Sequence, residues 1–124
     1  MWYTVSIGRG VRIMTVNQEI LDMMEVIKQA VPAEKIYLFG SFANGTPHND
    51  SDYDFFVVVP DDGPRPLEII QNARKSLSKT NRQTAVDILA DYQSRFNDRR
   101  QLNTLERKIA NEGIVLYERN WHRK

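Results

Sequence analysis

The sequence predicts an α/β domain in which helices pack on a β-sheet. Short runs rich in β-branched and aromatic residues alternate along the chain with stretches whose apolar residues recur at helical spacing. Such alternation is typical of a sheet covered by helices. The length of 124 residues fits one domain and leaves no room for two ordinary domains with separate cores. One site should therefore carry most of the function.

The first part of the chain predicts an extension followed by a helix. Residues 1–13 alternate loosely between polar and apolar side chains, so an edge strand and a loosely held arm both remain open, and we expect the domain to begin at residue 14. From about residue 17 to residue 31 the apolar residues recur at helical spacing, and Pro32 marks the end. This stretch is predicted to be an amphipathic helix.

Strand and helix patterns then alternate to the end of the domain. Residues 42–51 have the composition of turns. The predicted strands are Lys35–Phe39, Tyr53–Val59, Thr84–Ala90 and a short last segment, Ile114–Tyr117. The predicted helices run from about Pro66 to Leu77 and from Leu102 past Ile109 to a stop at Gly113.

Composition excludes several kinds of site. The chain has no cysteine, so disulfides, thiolate nucleophiles and zinc–thiolate centres are ruled out, and a metal must use oxygen ligands or one of two histidines. The net charge of +1 comes from 17 basic and 16 acidic residues, so no bulk positive field indicates direct DNA binding. No apolar run reaches the roughly 18 residues of a membrane span. We expect a cytoplasmic protein with no membrane partner.

Two acidic residues stand where a strand enters the core. Asp52 and Asp54 are two positions apart, and in a strand such residues project from one face. The apolar run Phe55–Val59 follows at once, which places both carboxylates at the mouth of the strand. Carboxylates that close repel each other, and a divalent cation would remove that cost. Taken alone, the pair is explained equally well as an acidic turn before a strand.

Asp87 adds a carboxylate on a later strand. It lies between Val86 and Ile88, where a lone aspartate is unfavourable both for strand formation and for burial. A salt bridge or an edge-strand position could compensate it; alternatively, it joins Asp52 and Asp54 as a third metal ligand. Three oxygen ligands on neighbouring strands suit Mg²⁺, which takes carboxylates together with substrate phosphates.

The dipeptide Gly40-Ser41 follows the first buried strand. Glycine lets the chain turn sharply and lets backbone N–H groups approach a phosphate, while the Ser41 hydroxyl adds a donor. Such a pair is common and means little by itself. Between a buried strand and an acidic strand, it predicts a phosphate site beside a metal site.

Together these motifs resemble the DNA polymerase β-like nucleotidyltransferase superfamily. Within it, the chain is similar to minimal nucleotidyltransferase (MNT) domains, the antitoxin partners of HEPN-domain toxins, over about residues 17–118. The resemblance implies a small mixed β-sheet packed with helices, in a domain covering 14–118 before a basic tail, 119–124. It rests on Gly40-Ser41-Phe42-Ala43-Asn44-Gly45, on Ser51-Asp52-Tyr53-Asp54-Phe55-Phe56-Val57-Val58, and on Val86-Asp87-Ile88.

The resemblance also implies an activity and a set of roles. Nucleotide binding would fall to Gly40, Ser41 and Asn44, the last of which stands where many relatives carry arginine. Catalysis and the binding of two Mg²⁺ ions would fall to Asp52, Asp54 and Asp87. The reaction would transfer a nucleoside monophosphate, AMP from ATP or the equivalent from another NTP, to a tyrosine hydroxyl of a HEPN toxin.

Two alternatives to that reaction remain open at this stage. One is transfer to a small molecule, as in antibiotic nucleotidyltransferases, and self-association of the chain into a homo-oligomer would favour it. The other is a non-catalytic interaction module that neutralises its partner by binding alone.

The remaining candidate residues have more ordinary explanations. Histidines 48 and 122 are expected in solvated segments, Tyr37 and Phe39 in the core, and the ring of Phe42 either packs in the turn or stacks on a base. The cluster Arg95, Arg99 and Arg100 is expected to be a solvated helix start, although it could reach a triphosphate, an acidic partner or RNA.

Overall fold

A mixed β-sheet forms the centre of the fold in a computed structural model that describes residues 2–7, 10–44, 52–80 and 84–119. For residues 2–7, 10–16 and Asn44 only the backbone is described. The elements in chain order are β1 (Trp2–Ile7), β2 (Gly10–Asn17), α1 (Gln18–Ala30), β3 (Lys35–Phe39), α2 (Ser41–Asn44), β4 (Tyr53–Val59), α3 (Pro66–Leu77), β5 (Val86–Tyr92), α4 (Gln93–Arg99), α5 (Leu105–Glu112) and β6 (Ile114–Glu118).

The strands of the described ranges lie in the order β2-β1-β6-β3-β4-β5. Strand β3 pairs antiparallel with both β4 and β6, whereas β4 and β5 run parallel. Strands β1 and β2 pair as an antiparallel hairpin that joins β6 through Ile7 and Ile114. The mixed sheet confirms the predicted fold class. The predicted domain limits, residues 14 and 118, stay predictions.

Helix α1 begins and ends where its sequence indicates. The Asn17 side chain accepts a hydrogen bond from the Ile20 N–H at 2.8 Å, which caps the first turn. The chain leaves the helix at Val31, which has extended backbone angles, just before Pro32. The apolar stripe that includes Ile20 and Ile27 is buried against the sheet. The helix predicted over about 17–31 is therefore confirmed.

Strand β4 has a hydrophobic core on each of its faces. Alternate residues such as Phe55 pack with α1 and α3, and the intervening residues such as Phe56 pack with Phe96 of α4 and Ile109 of α5. Because β4 lies between two strands and two helical layers, it is apolar on both faces. The predicted core positions Tyr37 and Phe39 lie on the face covered by α4 and α5, which confirms them.

Several boundaries differ from the sequence predictions. Strand β5 runs Val86–Tyr92 rather than Thr84–Ala90. Helix α5 begins at Leu105 because the Thr104 hydroxyl accepts from the Arg107 N–H at 3.2 Å; Leu102, before this cap, is 58% exposed. Helix α2 forms inside the predicted turn of 42–51, whose remaining residues 45–51, including His48, lie outside the described residues.

Helix α4 is absent from the sequence prediction. Phe96 is its one buried residue, so the helix has no apolar stripe for periodicity to reveal. It contains Arg95 and Arg99, which were expected at the start of the last helix. Of the predicted basic tail the structure describes Arg119 alone, whose Nη1 donates to Glu34 Oε2 at 2.7 Å, and His122 lies outside. Within the described ranges, every helix is too short or too polar to cross a membrane.

Candidate active site

Gly40 follows β3 and lies directly beside Asp54 of β4. The preceding residue, Phe39, is the register partner of Asp54. Gly40 has φ +79°, in the left-handed region that side chains rarely adopt. A Cβ atom added at Gly40 would collide with the Asp54 carboxylate. Glycine is therefore required both for the turn and for the close approach of that turn to the carboxylate.

Ser41 and Phe42 continue from this turn into α2. The Ala43 N–H donates to the Gly40 carbonyl at 3.1 Å, which closes the turn. The ring of Phe42 packs on the ring of Tyr53, with centroids 4.5 Å apart. Phe42 thus packs in the turn, the first of its two expected roles. Asn44 ends α2, and its side chain lies outside the described part of the structure.

Three carboxylates lie around the entrance of β4. Asp52 is exposed just before the strand, Asp54 is partly buried, and Asp87 on β5 is the parallel register partner of Asp54. Burial raises the pKa of the Asp54 carboxyl, and the negative charges of Asp87 and Asp52 raise it further. The structure therefore brings the three predicted acidic residues into one electrostatic cluster at the Gly40 turn.

Asp87 is more exposed than its apolar neighbours in the sequence indicate. Strand β5 is an edge strand of the described sheet, and the Asp87 side chain is 51% exposed. Its Oδ1 lies 3.4 Å from Nη2 of Arg74 on α3. The edge position and the salt bridge, the two ordinary compensations considered for this aspartate, are both present. An exposed pair of this kind contributes only about 0–1 kcal/mol.

The donor set at this entrance fits Mg²⁺ chemically. All three side chains offer carboxylate oxygens, and a positive ion would lower the cost of ionised Asp54 between two other anions. In their described positions, however, no three histidine, aspartate or glutamate side chains of the ranges above form a group that could hold a metal ion. The side chains that could offer oxygen ligands here are those of Asp52 and Asp54, while Asp87 is paired with Arg74 in this structure.

Sequence reasoning missed a buried polar network behind this entrance. Tyr53, between the two aspartates, is 2% exposed, and its hydroxyl donates to Glu19 Oε1 at 2.7 Å. The Asn17 amide donates to the Tyr53 hydroxyl at 3.2 Å, and the Thr84 hydroxyl donates to Glu19 at 3.3 Å. Burial, followed by the hydrogen bond to Glu19, raises the pKa of Tyr53. The network ties the aspartate-bearing strand to the start of α1 and to the residue two positions before β5.

A pocket of about 70 Å³ opens between the Gly40 turn and α5. Apolar side chains and glycines make up most of its wall, and Lys108 and Glu112 bring one charge of each sign. Its lining residues are Phe39, Gly40, Ala43, Leu105, Lys108, Ile109, Glu112 and Gly113. The pocket is therefore a small, mostly apolar recess next to the glycine–serine turn.

A mixed sheet whose glycine–serine turn faces clustered carboxylates defines a nucleotidyltransferase domain, and comparison with known families agrees. The family model described as "Polymerase beta, Nucleotidyltransferase" matches residues 21–122. Because the match spans most of the sequence, the chain belongs to the polymerase β nucleotidyltransferase family and is a nucleotidyltransferase. A comparison with curated protein sequences gives no match.

Solved structures with the same fold include toxin–antitoxin proteins. A chain of a toxin–antitoxin with AMP-PNP is 22% identical, with a TM-score of 0.54 over 84% of this chain and 76% of that one. A mutant of the toxin–antitoxin MntA-HpeT is 21% identical, with a TM-score of 0.53 over 85% and 76%. A candidate nucleotidyltransferase from Sulfolobus solfataricus is 18% identical, with a TM-score of 0.52 over 81% and 78%. At these identities, the similarity shows the fold.

Proposed function

We propose that this nucleotidyltransferase acts as an antitoxin that transfers AMP from ATP to a tyrosine hydroxyl of a HEPN-domain toxin. The observation that carries the proposed chemistry is the cluster of Asp52, Asp54 and Asp87 at the Gly40 turn, where burial and the two neighbouring charges raise the pKa of Asp54. Support for the biological role comes from the toxin–antitoxin proteins that share the fold, one of them described with AMP-PNP.

In the proposed reaction, the glycine–serine turn holds the nucleotide. Backbone N–H groups at Gly40 and the Ser41 hydroxyl bind the terminal phosphates, with Asn44 as an uncharged contact at the end of α2. Asp52, Asp54 and Asp87 would hold two Mg²⁺ ions, which would neutralise phosphate charge and make the acceptor hydroxyl more acidic.

The bond changes follow from an in-line displacement. The acceptor oxygen forms a bond to the α-phosphorus of ATP, and the bond from that phosphorus to the bridging oxygen breaks. Pyrophosphate leaves, and Asp87 takes the proton of the acceptor hydroxyl. Asp87 must first release Arg74; because that pair is half-exposed, the exchange costs little.

The test is label transfer to the protein encoded beside this one. With Mg²⁺ and ATP labelled at the α-phosphate, we expect label on the partner and none after EDTA is added. The double variant Asp52→Asn/Asp54→Asn should lose at least 100-fold in rate, on the order of the loss of one well-placed electrostatic group. Its matched control is Asp62→Asn/Asp98→Asn, which removes two exposed carboxylates elsewhere.

Two results would contradict the proposal. Equal labelling by the wild type and by Asp52→Asn/Asp54→Asn would show that the carboxylate cluster takes no part in the reaction. Neutralisation of the partner without transfer of label would show that the protein acts as a non-catalytic module that binds its partner.

A further inference from the structure

A polar groove of about 370 Å³ lies between α4 and α5. In the described part of the chain, its walls carry two arginines, three carboxamides and no carboxylate. The lining residues are Asn97, Arg100, Gln101, Arg107 and Asn111. The catalytic chemistry proposed above uses none of them.

The two arginines of this groove differ from the other arginines of the α4–α5 region. Arg95 pairs with Asp91 at 3.6 Å, and Arg99 pairs with Glu106 at 3.0 Å. Neither Arg100 nor Arg107 has a side-chain hydrogen bond or ion pair with any residue in the described ranges. The groove therefore carries two positive charges that the described part of the molecule does not neutralise.

The surroundings of the groove favour an acidic protein segment over a nucleic acid. The side chain of Leu102, next in sequence to the lining residue Gln101, is 58% exposed. Among the residues that the structure describes, no aromatic ring lines the groove, so these residues give bases no surface on which to stack. Arginine forks bind carboxylates through paired hydrogen bonds, carboxamides can bond to a peptide backbone, and an exposed leucine can cover an apolar side chain of a partner.

The groove lies one helix away from the glycine–serine turn. Arg107 and Asn111 of α5 line the groove, while Ile109 and Glu112 of the same helix line the pocket beside Gly40. A protein held in the groove would have its neighbouring surface close to that pocket.

We propose that the α4–α5 groove is a docking site for an acidic, amphipathic segment of a partner protein. This inference rests on the proposed function, because that function is what requires a protein partner. The carboxylates of the segment pair with Arg100 and Arg107, and its apolar side chains cover Leu102. Docking there brings the partner towards the nucleotide site.

Binding of a defined peptide tests the docking chemistry directly. The probe is a short fluorescent peptide that carries glutamates on one helical face and leucines on the other, measured by fluorescence polarisation with the full chain at about 0.15 M salt. We expect Arg100→Glu/Arg107→Glu to weaken peptide binding at least tenfold. The control Lys75→Glu/Lys79→Glu makes the same charge change on and just after α3 and should bind like the wild type. The affinity of Arg100→Lys/Arg107→Lys for the peptide should lie between that of the wild type and that of Arg100→Glu/Arg107→Glu. Lysine keeps the positive charge but cannot form the paired hydrogen bonds of arginine.

Three outcomes would overturn the docking site: no peptide binding by the wild type, equal weakening by both glutamate variants, or tighter binding of a single-stranded oligoribonucleotide of the same net charge. The last would make the groove a site for RNA. None of these outcomes involves nucleotide transfer. Failure of label transfer with intact peptide binding would instead overturn the proposed function alone.

Discussion

Gly40 shows how one missing side chain shapes the site. The residue combines φ +79° with a position where a Cβ atom would meet the Asp54 carboxylate. Both features act at the same point, since the turn that needs the positive φ also lies against the Asp54 carboxylate. A larger residue would push the glycine–serine turn away from that carboxylate.

Gly40→Ala should therefore lower the free energy of unfolding by about 1–3 kcal/mol, because it adds backbone strain and a collision. The matched control is Gly63→Ala, where the nearest atom to an added Cβ is the Pro60 carbonyl oxygen at 3.6 Å. That control should be neutral or more stable by about 0.4–1 kcal/mol. Urea unfolding of both variants measures the difference; equal stability would contradict the close approach at Gly40.

Asp54 carries an electrostatic cost in the metal-free protein. Its pKa is raised by burial and by Asp87 and Asp52, so the folded state holds the proton more tightly than the unfolded state does. Stability without metal should therefore fall as the pH rises from below the ordinary aspartate pKa through the raised value.

Asp54→Asn should remove this pH dependence. In EDTA at pH 7, the variant should unfold at a higher temperature than the wild type, and the difference should shrink as the pH falls below the ordinary aspartate pKa. Asp62→Asn, at an exposed carboxylate, serves as the control. A variant that is less stable than the wild type at pH 7 would show that ionised Asp54 stabilises the metal-free fold.

The Tyr53 hydroxyl connects the aspartate-bearing strand β4 to the start of α1. Tyr53→Phe should cost about 1–3 kcal/mol of stability, because it leaves the buried side of Glu19 without its short hydrogen bond. It should also slow label transfer while keeping all three aspartates. Tyr92→Phe is the control, since the Tyr92 hydroxyl has no hydrogen bond within the described residues. Equal transfer rates for both variants would limit the Tyr53 hydroxyl to a stabilising role.

At the scale of elements, α4 depends on a contact from a distant turn. No side chain of its own caps the helix, and the Ser94 N–H donates instead to Asp61 Oδ1 at 3.0 Å. The Ser94 hydroxyl and N–H hydrogen bonds lower the pKa of Asp61. The turn after β4 thus holds the start of the helix that carries Arg100 at its end.

Asp61→Asn should weaken α4 in a pH-dependent way. Since the folded pKa is lowered, the ionised carboxylate stabilises the fold above the ordinary aspartate pKa, and this contribution is lost as the pH falls through the lowered value. The wild type should thus unfold at a higher temperature than the variant at pH 7 and at the same temperature near pH 2. Asp62→Asn is the neighbouring control. A gap between wild type and variant that persists in acid would assign the effect to something other than the charge.

At the scale of the whole molecule, β4 joins the two cores. Phe55 and Phe56 are adjacent in sequence and buried on opposite faces, at 0% and 3% exposure. The α1–α3 layer and the α4–α5 layer therefore share one strand. Disruption of one core should destabilise the other.

Phe55→Ala and Phe56→Ala should each cost about 3–5 kcal/mol and leave a single unfolding transition. Leu67→Ala, at a leucine that is 63% exposed, should change stability by less than about 0.5 kcal/mol. Far- and near-ultraviolet circular dichroism measure the transitions. Separate transitions in the two signals would show that the layers unfold independently.

The sequence by itself determined the elements whose signals are local. Strands β3 and β4 and helix α3 have the predicted bounds, because side-chain alternation, helical spacing and Pro66 at the first turn are properties of neighbouring residues. The sequence did not predict helix α4, because its one buried residue makes no periodic pattern and because its capping side chain, Asp61, is distant in sequence. The motif residues Gly40, Ser41, Asp52 and Asp54 were readable for the same local reason, and their catalytic roles stay predictions.

Tertiary structure alone decided which groups meet. That Asp87 lies on an edge strand opposite Asp54 and beside Arg74 depends on strand order, register and the packing of α3. The Tyr53–Glu19 hydrogen bond and the placement of Arg100 and Arg107 in one groove likewise arise from contacts between elements. Secondary structure follows from interactions within a few residues, whereas electrostatic partners are set by long-range pairing, which the linear order of residues does not contain.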